Sequence, residues 1–129
     1  MAIKHLTKEE LLDIYFGIIK KFGKEKGIVD EGNLESSLYR VEGYKGKSEE
    51  ETIFWKAAIL LERIVLGHPF IDGNKRTGFE ATKTFLKLNG YGLNPGEGET
   101  ITFLVKIAEG KKNRYSIKNW LEKYSKKAL

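Results

Sequence analysis

A histidine, an aspartate and an asparagine, followed at once by two basic side chains, stand together in the run His68-Pro69-Phe70-Ile71-Asp72-Gly73-Asn74-Lys75-Arg76-Thr77-Gly78. An imidazole accepts protons near neutral pH and suits the work of a general base. Asp72 offers the hard oxygen that Mg2+ takes when it also holds phosphate groups. Gly73 permits a positive φ or a close backbone approach just before an apolar rhythm resumes at Phe79, Phe85, Leu86 and Leu88. That rhythm predicts a helix from about Asn74. Its free first-turn N–H groups, with Lys75 and Arg76 beside them, would cradle phosphate oxygens. A purely structural alternative makes His68 a helix C-terminal cap, Asp72 an N-cap, and Lys75 and Arg76 a solvated first turn. It leaves unexplained why two cations stand where the helix dipole repels each by about 0.3–1 kcal/mol.

Helices must hold this loop from both sides. Ser48 and Glu51 have the spacing of a capping box, and Ile53, Ala57, Leu60, Leu61, Ile64 and Val65 keep helical spacing as far as Gly67. The apolar residues surround enough of that helix to make it the central buried one, and it delivers His68 at its end. Pro69 prevents its continuation, while Phe70 is the residue to pin the turn into the core. Nearer the N-terminus, Thr7 and Glu10 predict a second capping box, with a helix from Leu11 through Tyr15 and Ile19 to Gly23. His5 precedes this cap without chemical company and reads as a surface residue. A polar loop from Gly23 to Gly32 is expected to tuck Ile28 and Val29 inward.

A short helix is expected over about Asn33–Val41, ending at Gly43, and Tyr44, Lys45, Gly46 and Lys47 then form an exposed connection. After Asn89-Gly90 the spacing predicts a helix over about Glu99–Glu109, with Ile101, Leu104, Val105 and Ala108 inward. A last helix follows Ser116 as N-cap and carries Ile117, Trp120, Leu121 and Tyr124. No strand pair and no repeat is evident. The expected fold is all-α, a compact bundle of about six helices in one domain over residues 1–129.

The composition narrows the chemistry. The absence of cysteine excludes disulfides and cysteine catalysis. No apolar run reaches membrane-span length and no signal-peptide pattern opens the chain, so a cytoplasmic protein is expected, with no membrane partner. The stretch from Gly110 to Leu129 sets Lys111, Lys112, Arg114, Lys118, Lys123, Lys126 and Lys127 against Glu122 alone, and so accounts for the whole net charge of +5. A basic C-terminal helix and tail of this kind either touches nucleic acid or is a solvated helix end.

The run HPFIDGNKRTG resembles the signature of the Fic/Doc superfamily, whose Fic form reads HPFx(D/E)GNGRxxR and whose death-on-curing (Doc) form reads HxFx(D/N)(A/G)NKR. Lys75 stands where Fic enzymes carry glycine, and Phe79 where they carry the closing arginine, so the chain sides with Doc. The resemblance covers nearly the whole chain and implies the all-α Fido fold. It also implies a toxin of a toxin–antitoxin pair that transfers the γ-phosphoryl group of ATP to a Ser or Thr hydroxyl of a protein, with elongation factor Tu or its counterpart as target. On that resemblance His68 is the general base and Asp72 binds Mg2+. Gly73, Asn74, Lys75 and Arg76 meet the nucleotide phosphates, Pro69 and Phe70 anchor the loop, and Tyr44 and Lys45 match the flap that holds the target. Self-inhibition of the Fic kind needs a [S/T]xxxE(G/N) motif. Leu38 replaces its hydroxyl residue ahead of Glu42-Gly43, so a separate antitoxin is implied. Two other readings stay open: a Fic-like adenylyltransferase that moves AMP, and a non-catalytic module that binds nucleotide or nucleic acid.

Overall fold

The computed structural model describes residues 2–23 and 25–128. Helices α1 (Lys8–Phe22), α2 (Glu31–Gly43), α3 (Glu49–Gly67) and α4 (Asn74–Leu88) come first. They are followed by strand β1 (Tyr91–Leu93), α5 (Glu97–Ala108), α6 (Arg114–Lys123) and strand β2 (Ser125–Lys127). The fold is all-α apart from the two short strands.

α3 is the axis, packed against α2, α4, α5 and α6. It buries Ile53, Phe54, Ala57, Ala58, Ile59, Leu60, Leu61, Ile64 and Val65, which leaves little of its circumference to solvent. At about 1.5–3 kcal/mol for each fully buried large apolar side chain, this helix dominates the hydrophobic term. α4 lies close against it because Gly78 has no Cβ: one built there would stand 3.2 Å from the Val65 Cγ2 and 3.4 Å from Ile64 and Leu61 atoms.

The caps follow local chemistry. Thr7 and Glu10 form the full box at the start of α1. At α3 only half of the expected box forms. Ser48 Oγ accepts the Glu51 N–H at 3.1 Å, but the Glu51 carboxylate accepts from the Trp55 indole at 3.3 Å. Asn113 caps α6, not Ser116, whose N–H donates to the Asn113 side chain at 2.8 Å. α5 turns a different face inward from the one its spacing suggested. Phe103, Leu104 and Ile107 are buried, while Ile101 and Val105 are 55% and 39% exposed. The Trp120 ring decides this, stacking on Phe103 at 4.2 Å with the planes 4° apart.

The expectation of no strand pair is corrected by β1 and β2, which pair antiparallel with Tyr91 opposite Lys127 and Leu93 opposite Ser125. Each strand has three residues, too few for an alternating pattern to declare itself. The end of the basic C-terminal stretch is therefore strand, not a solvated helix end.

His5 is also not an isolated surface residue. Its Nε2 lies 2.9 Å from the Nζ of Lys56, a lysine only 3% exposed, which also donates to the carbonyls of Val41 at 2.6 Å and Glu42 at 2.7 Å. Three N–H donors thus meet three acceptors, and Lys56 caps the C-terminal carbonyls of α2. Burial first, then the Lys56 charge, holds the His5 pKa below its usual 6.5, with Glu42 pulling the other way. Neutral His5 is the native form, whereas the unfolded chain takes up a proton near 6.5. This contribution to stability is therefore complete above that pH and is lost as pH falls through it toward the lower folded value. Between pH 7.5 and 5.5 the melting temperature is expected to fall, and His5→Gln, which keeps an acceptor without a titrating ring, should flatten that slope. An equal slope in the variant would remove His5 as its source.

Candidate active site

The loop between α3 and α4 begins with a sharp change of direction. His68 occupies the left-handed region, at φ 46° and ψ 57°, the one non-glycine residue with positive φ among the described residues. Histidine is among the residues that tolerate this region best, at a cost of about 1–3 kcal/mol that the surrounding packing must offset. His68 itself is exposed, while Pro69 and Phe70 are buried.

Phe70 carries the anchoring. Its ring is 1% exposed and stacks on Tyr15 of α1, with centroids 3.8 Å apart and planes 6° from parallel. The Tyr15 hydroxyl also accepts the Gly27 N–H at 2.8 Å and lies 3.2 Å from the Gly27 carbonyl. Gly27–Asp30 then runs antiparallel beside the loop. Ile71 N–H donates to Gly27 O at 3.0 Å, and the N–H groups of Val29 and Asp30 donate to Pro69 O at 2.8 and 3.2 Å. Ile28 and Val29, expected inward, are exposed at 37% and 60%. It is their backbone that holds the loop.

Asn74 closes the loop from its far end. Its Oδ1 accepts the Phe70 N–H at 3.1 Å and its Nδ2 donates to the Phe70 carbonyl at 2.9 Å, both in the interior. Both polar ends of the amide are satisfied by one peptide neighbourhood. Gly73 makes the turn into α4 at φ 80°, where a Cβ would stand 3.3 Å from Ile19 Cδ1. The Gly73 N–H donates to Asp72 Oδ1 at 2.8 Å.

α4 therefore starts without a side-chain cap, unlike α1, α2, α3 and α6, which Thr7, Asp30, Ser48 and Asn113 cap, and its first turn holds no acid. Asp72, Gly73, Asn74, Lys75 and Arg76 line one end of a cavity of about 580 Å³. Phe79, Leu104 and the exposed Ile101 and Val105 line its apolar side. Lys75 makes no ion pair among the described residues. The Arg76 guanidinium lies over the Phe22 ring, 3.9 Å from its centre. His68, Pro69 and Phe70 do not line this cavity. Tyr44 lines a different one, beside α2, and is half-buried with its ring 6.2 Å from Trp55. Its connection is tied down where the Gly46 N–H donates to Thr52 Oγ1 at 2.8 Å.

No group of three or more histidine, cysteine or carboxylate side chains converges among the described residues. Asp72 is the one carboxylate of the loop. A single carboxylate next to a phosphate cradle fits Mg2+, which completes its shell with phosphate oxygens and water, and does not fit an ion that needs an all-protein cage.

The Fic/DOC family model matches residues 5–86, from His5 through most of α4. The chain belongs to the Fic/DOC family. It is 32% identical over 88 residues to "Protein kinase doc" of Escherichia phage P1, an alignment spanning 68% of this chain and 70% of that protein. It is 37% identical over 91 residues to "Toxin Doc" of Mycolicibacterium smegmatis, spanning 70% of this chain and 68% of that protein. In this Fic/DOC protein the matched region takes in α1, the Gly27–Asp30 segment and the whole His68–Gly78 loop. β1, α5, α6 and β2 lie beyond it.

Sequence spacing had assigned Tyr15 to the core without distinguishing it from its neighbours. Nothing local shows that its ring supports Phe70, and no pattern in α5 declares Ile101 and Val105 as cavity wall. Asn74→Ala is expected to lower unfolding free energy by about 2 kcal/mol, because it leaves a buried N–H and carbonyl of Phe70 unmatched. Asn74→Asp should not rescue it, since a carboxylate oxygen would then face the Phe70 carbonyl. Urea unfolding of the three proteins checks both statements, and full stability of either variant would show that the clamp contributes little.

Proposed function

We propose that this Fic/DOC protein is a Doc-like toxin that transfers the γ-phosphoryl group of ATP to a Ser or Thr hydroxyl of a protein target and thereby inhibits translation. The observation that carries the reading is the uncapped start of α4, where Lys75 and Arg76 stand with Asp72 at one end of a cavity. The names of the two relatives, one a kinase and one a toxin, support it.

In the reaction His68 accepts the proton of the target hydroxyl. The hydroxyl oxygen bonds to the γ-phosphorus, the bond from that phosphorus to the bridging oxygen breaks, and ADP leaves with the electron pair. The first-turn N–H groups of α4, with Lys75 and Arg76, receive the charge that spreads over the transferred group. Asn74 acts through Phe70, fixing the loop that carries His68 and Asp72. Asp72 would hold Mg2+, which when bound neutralises phosphate charge. Tyr44 and Lys45 belong to the flap that holds the target segment, and elongation factor Tu or its counterpart is the target in view. A cytoplasmic location goes with ATP as co-substrate, and no helix among the described residues is long and apolar enough to cross a membrane.

A separate antitoxin completes this reading. Ile101 and Val105 give the cavity beside the cradle an exposed apolar wall, suited to an amphipathic peptide that would cover the site. The second reading, AMP transfer, is favoured by Pro69, which the Fic pattern specifies and the Doc pattern leaves open. It would break the bond between the α- and β-phosphates and release pyrophosphate.

Parallel reactions with Mg2+, host extract and ATP labelled at the γ- or the α-phosphate separate the two. Label from the γ position alone is expected, and label from the α position would overturn the kinase reading. His68→Ala should retain nucleotide binding and cut transfer by about 10²–10⁴. A fully active alanine variant would remove the general base. Lys75→Gly tests whether that side chain sets the orientation of ATP: appearance of α-label in this variant is the expected result, and an unchanged γ-only pattern would assign the choice to another residue.

A further inference from the structure

A second cavity, of about 730 Å³, opens between α2, α3 and the start of α6, with Ser36, Tyr39, Arg40, Tyr44, Ile59 and Arg114 on its walls. Arg63 stands behind it, donating from Nε to Ser37 Oγ at 2.9 Å and from a terminal nitrogen to Ser36 Oγ at 3.2 Å. Two guanidinium groups from two helices, those of Arg40 and Arg114, therefore line one concavity, with a third, that of Arg63 on α3, behind it. They are close enough that, after burial, the charges of Arg40 and Arg114 both depress the Arg63 pKa. Among the described residues one carboxylate bonds any of them: Glu62 Oε1 accepts from Arg114 at 2.7 and 2.9 Å. Arg40 makes no ion pair among the described residues. Glu42 also lines the cavity, and its charge bears on Lys56 and His5. Like charges held together by preorganised hydrogen bonds are a standing cost to the folded chain, and a visiting anion offsets it.

We propose that this cavity docks an acidic segment of the protein target, whose carboxylates are received by Arg40 and Arg114, with the Arg63 charge behind them. The guanidinium fork matches a carboxylate in two parallel hydrogen bonds, and Tyr39, 79% exposed, adds a ring of the kind that anchors interfaces. A continuous phosphate track fits less well. Glu42 lines the cavity itself, while Glu31 and Glu35, paired with Lys8, lie on the opposite face of α2 from Arg40. Discrete acidic side chains can avoid the Glu42 carboxylate where a polyanion running through the cavity cannot. Tyr44 joins the cavity to the flap, so a segment held by the flap continues directly into it. That the occupant is the target rests on the transferase reading above. That the site takes an acidic peptide does not.

Fluorescence anisotropy on the full chain with labelled oligo-glutamate tests the site, with oligo-lysine and single-stranded oligo-uridine RNA as comparison probes. The variants are Arg40→Glu, an exposed position whose folding is checked by thermal melting, and Lys126→Glu on β2. Oligo-glutamate is expected to bind in a salt-dependent way, about tenfold more weakly to Arg40→Glu and equally to Lys126→Glu. In the γ-label assay the same Arg40 change should raise the KM for the target rather than lower kcat. Absence of oligo-glutamate binding, equal losses in both variants, or tighter RNA binding that Arg40→Glu abolishes would each overturn the proposal. Label transfer with an unchanged target KM in Arg40→Glu overturns target docking and leaves the kinase reading intact. Peptide binding in a chain that transfers no label from either ATP overturns the kinase reading and upholds the acidic-peptide site.

Discussion

The stacked pair of Tyr15 and Phe70 and the Asn74 amide around the Phe70 peptide hold the whole loop between α3 and α4 in shape. Phe70 is gripped through its ring, its N–H and its carbonyl, and the neighbouring Pro69 and Ile71 are bonded to the Gly27–Asp30 backbone. With so many constraints on one residue, His68 can be carried in a left-handed conformation that a less constrained loop would relax. The same constraints leave His68 exposed while Phe70 is buried.

A second constraint acts through α2. Its first turn meets the end of α3, where the Asn33 amide donates to the Gly67 carbonyl at 3.4 Å and its oxygen accepts from Ser37 at 3.1 Å. Its last carbonyls are capped by Lys56, which links them to His5 and to the middle of α3. α2 is thus fixed at both ends against the central helix, and the connection that follows Gly43 leaves from a fixed point. A buried ammonium is tolerated here because each of its donors has an acceptor, which is the condition under which burying a charge does not unfold a small protein.

Positive charge is used locally and not as a bulk property. The excess resides in the last twenty residues of the sequence, yet Lys126 and Lys127 are part of a two-stranded sheet that closes over β1, and Lys118 is paired with Glu122. Arg76 is laid against Phe22, and Arg114 is bonded to Glu62. The cations at the cavities, Lys75 at one and Arg40 at the other, are set there by neighbouring helices. The net charge of +5 says nothing of this division.

What the sequence by itself determined is what near neighbours decide. The Thr7 box, the Asp72-Gly73-Asn74 turn, the break after Gly67 and the near-continuous apolar surface of α3 depend on residues a few positions apart, and all are present. The composition and order of the His68–Gly78 loop were legible for the same reason. Tertiary structure alone decided the rest. The partner of His5 is Lys56, 51 residues away. The inward face of α5 is set by a tryptophan on α6, and β1 finds its strand partner beyond two helices. The turn of Asn74 toward Phe70 was not legible, because an amide has no periodicity and takes whatever buried donor and acceptor the fold brings to it. The two arginines that line the second cavity, Arg40 and Arg114, and Arg63 behind it stand on three helices, and a spacing rule that compares residues within one helix has no term that could have joined them.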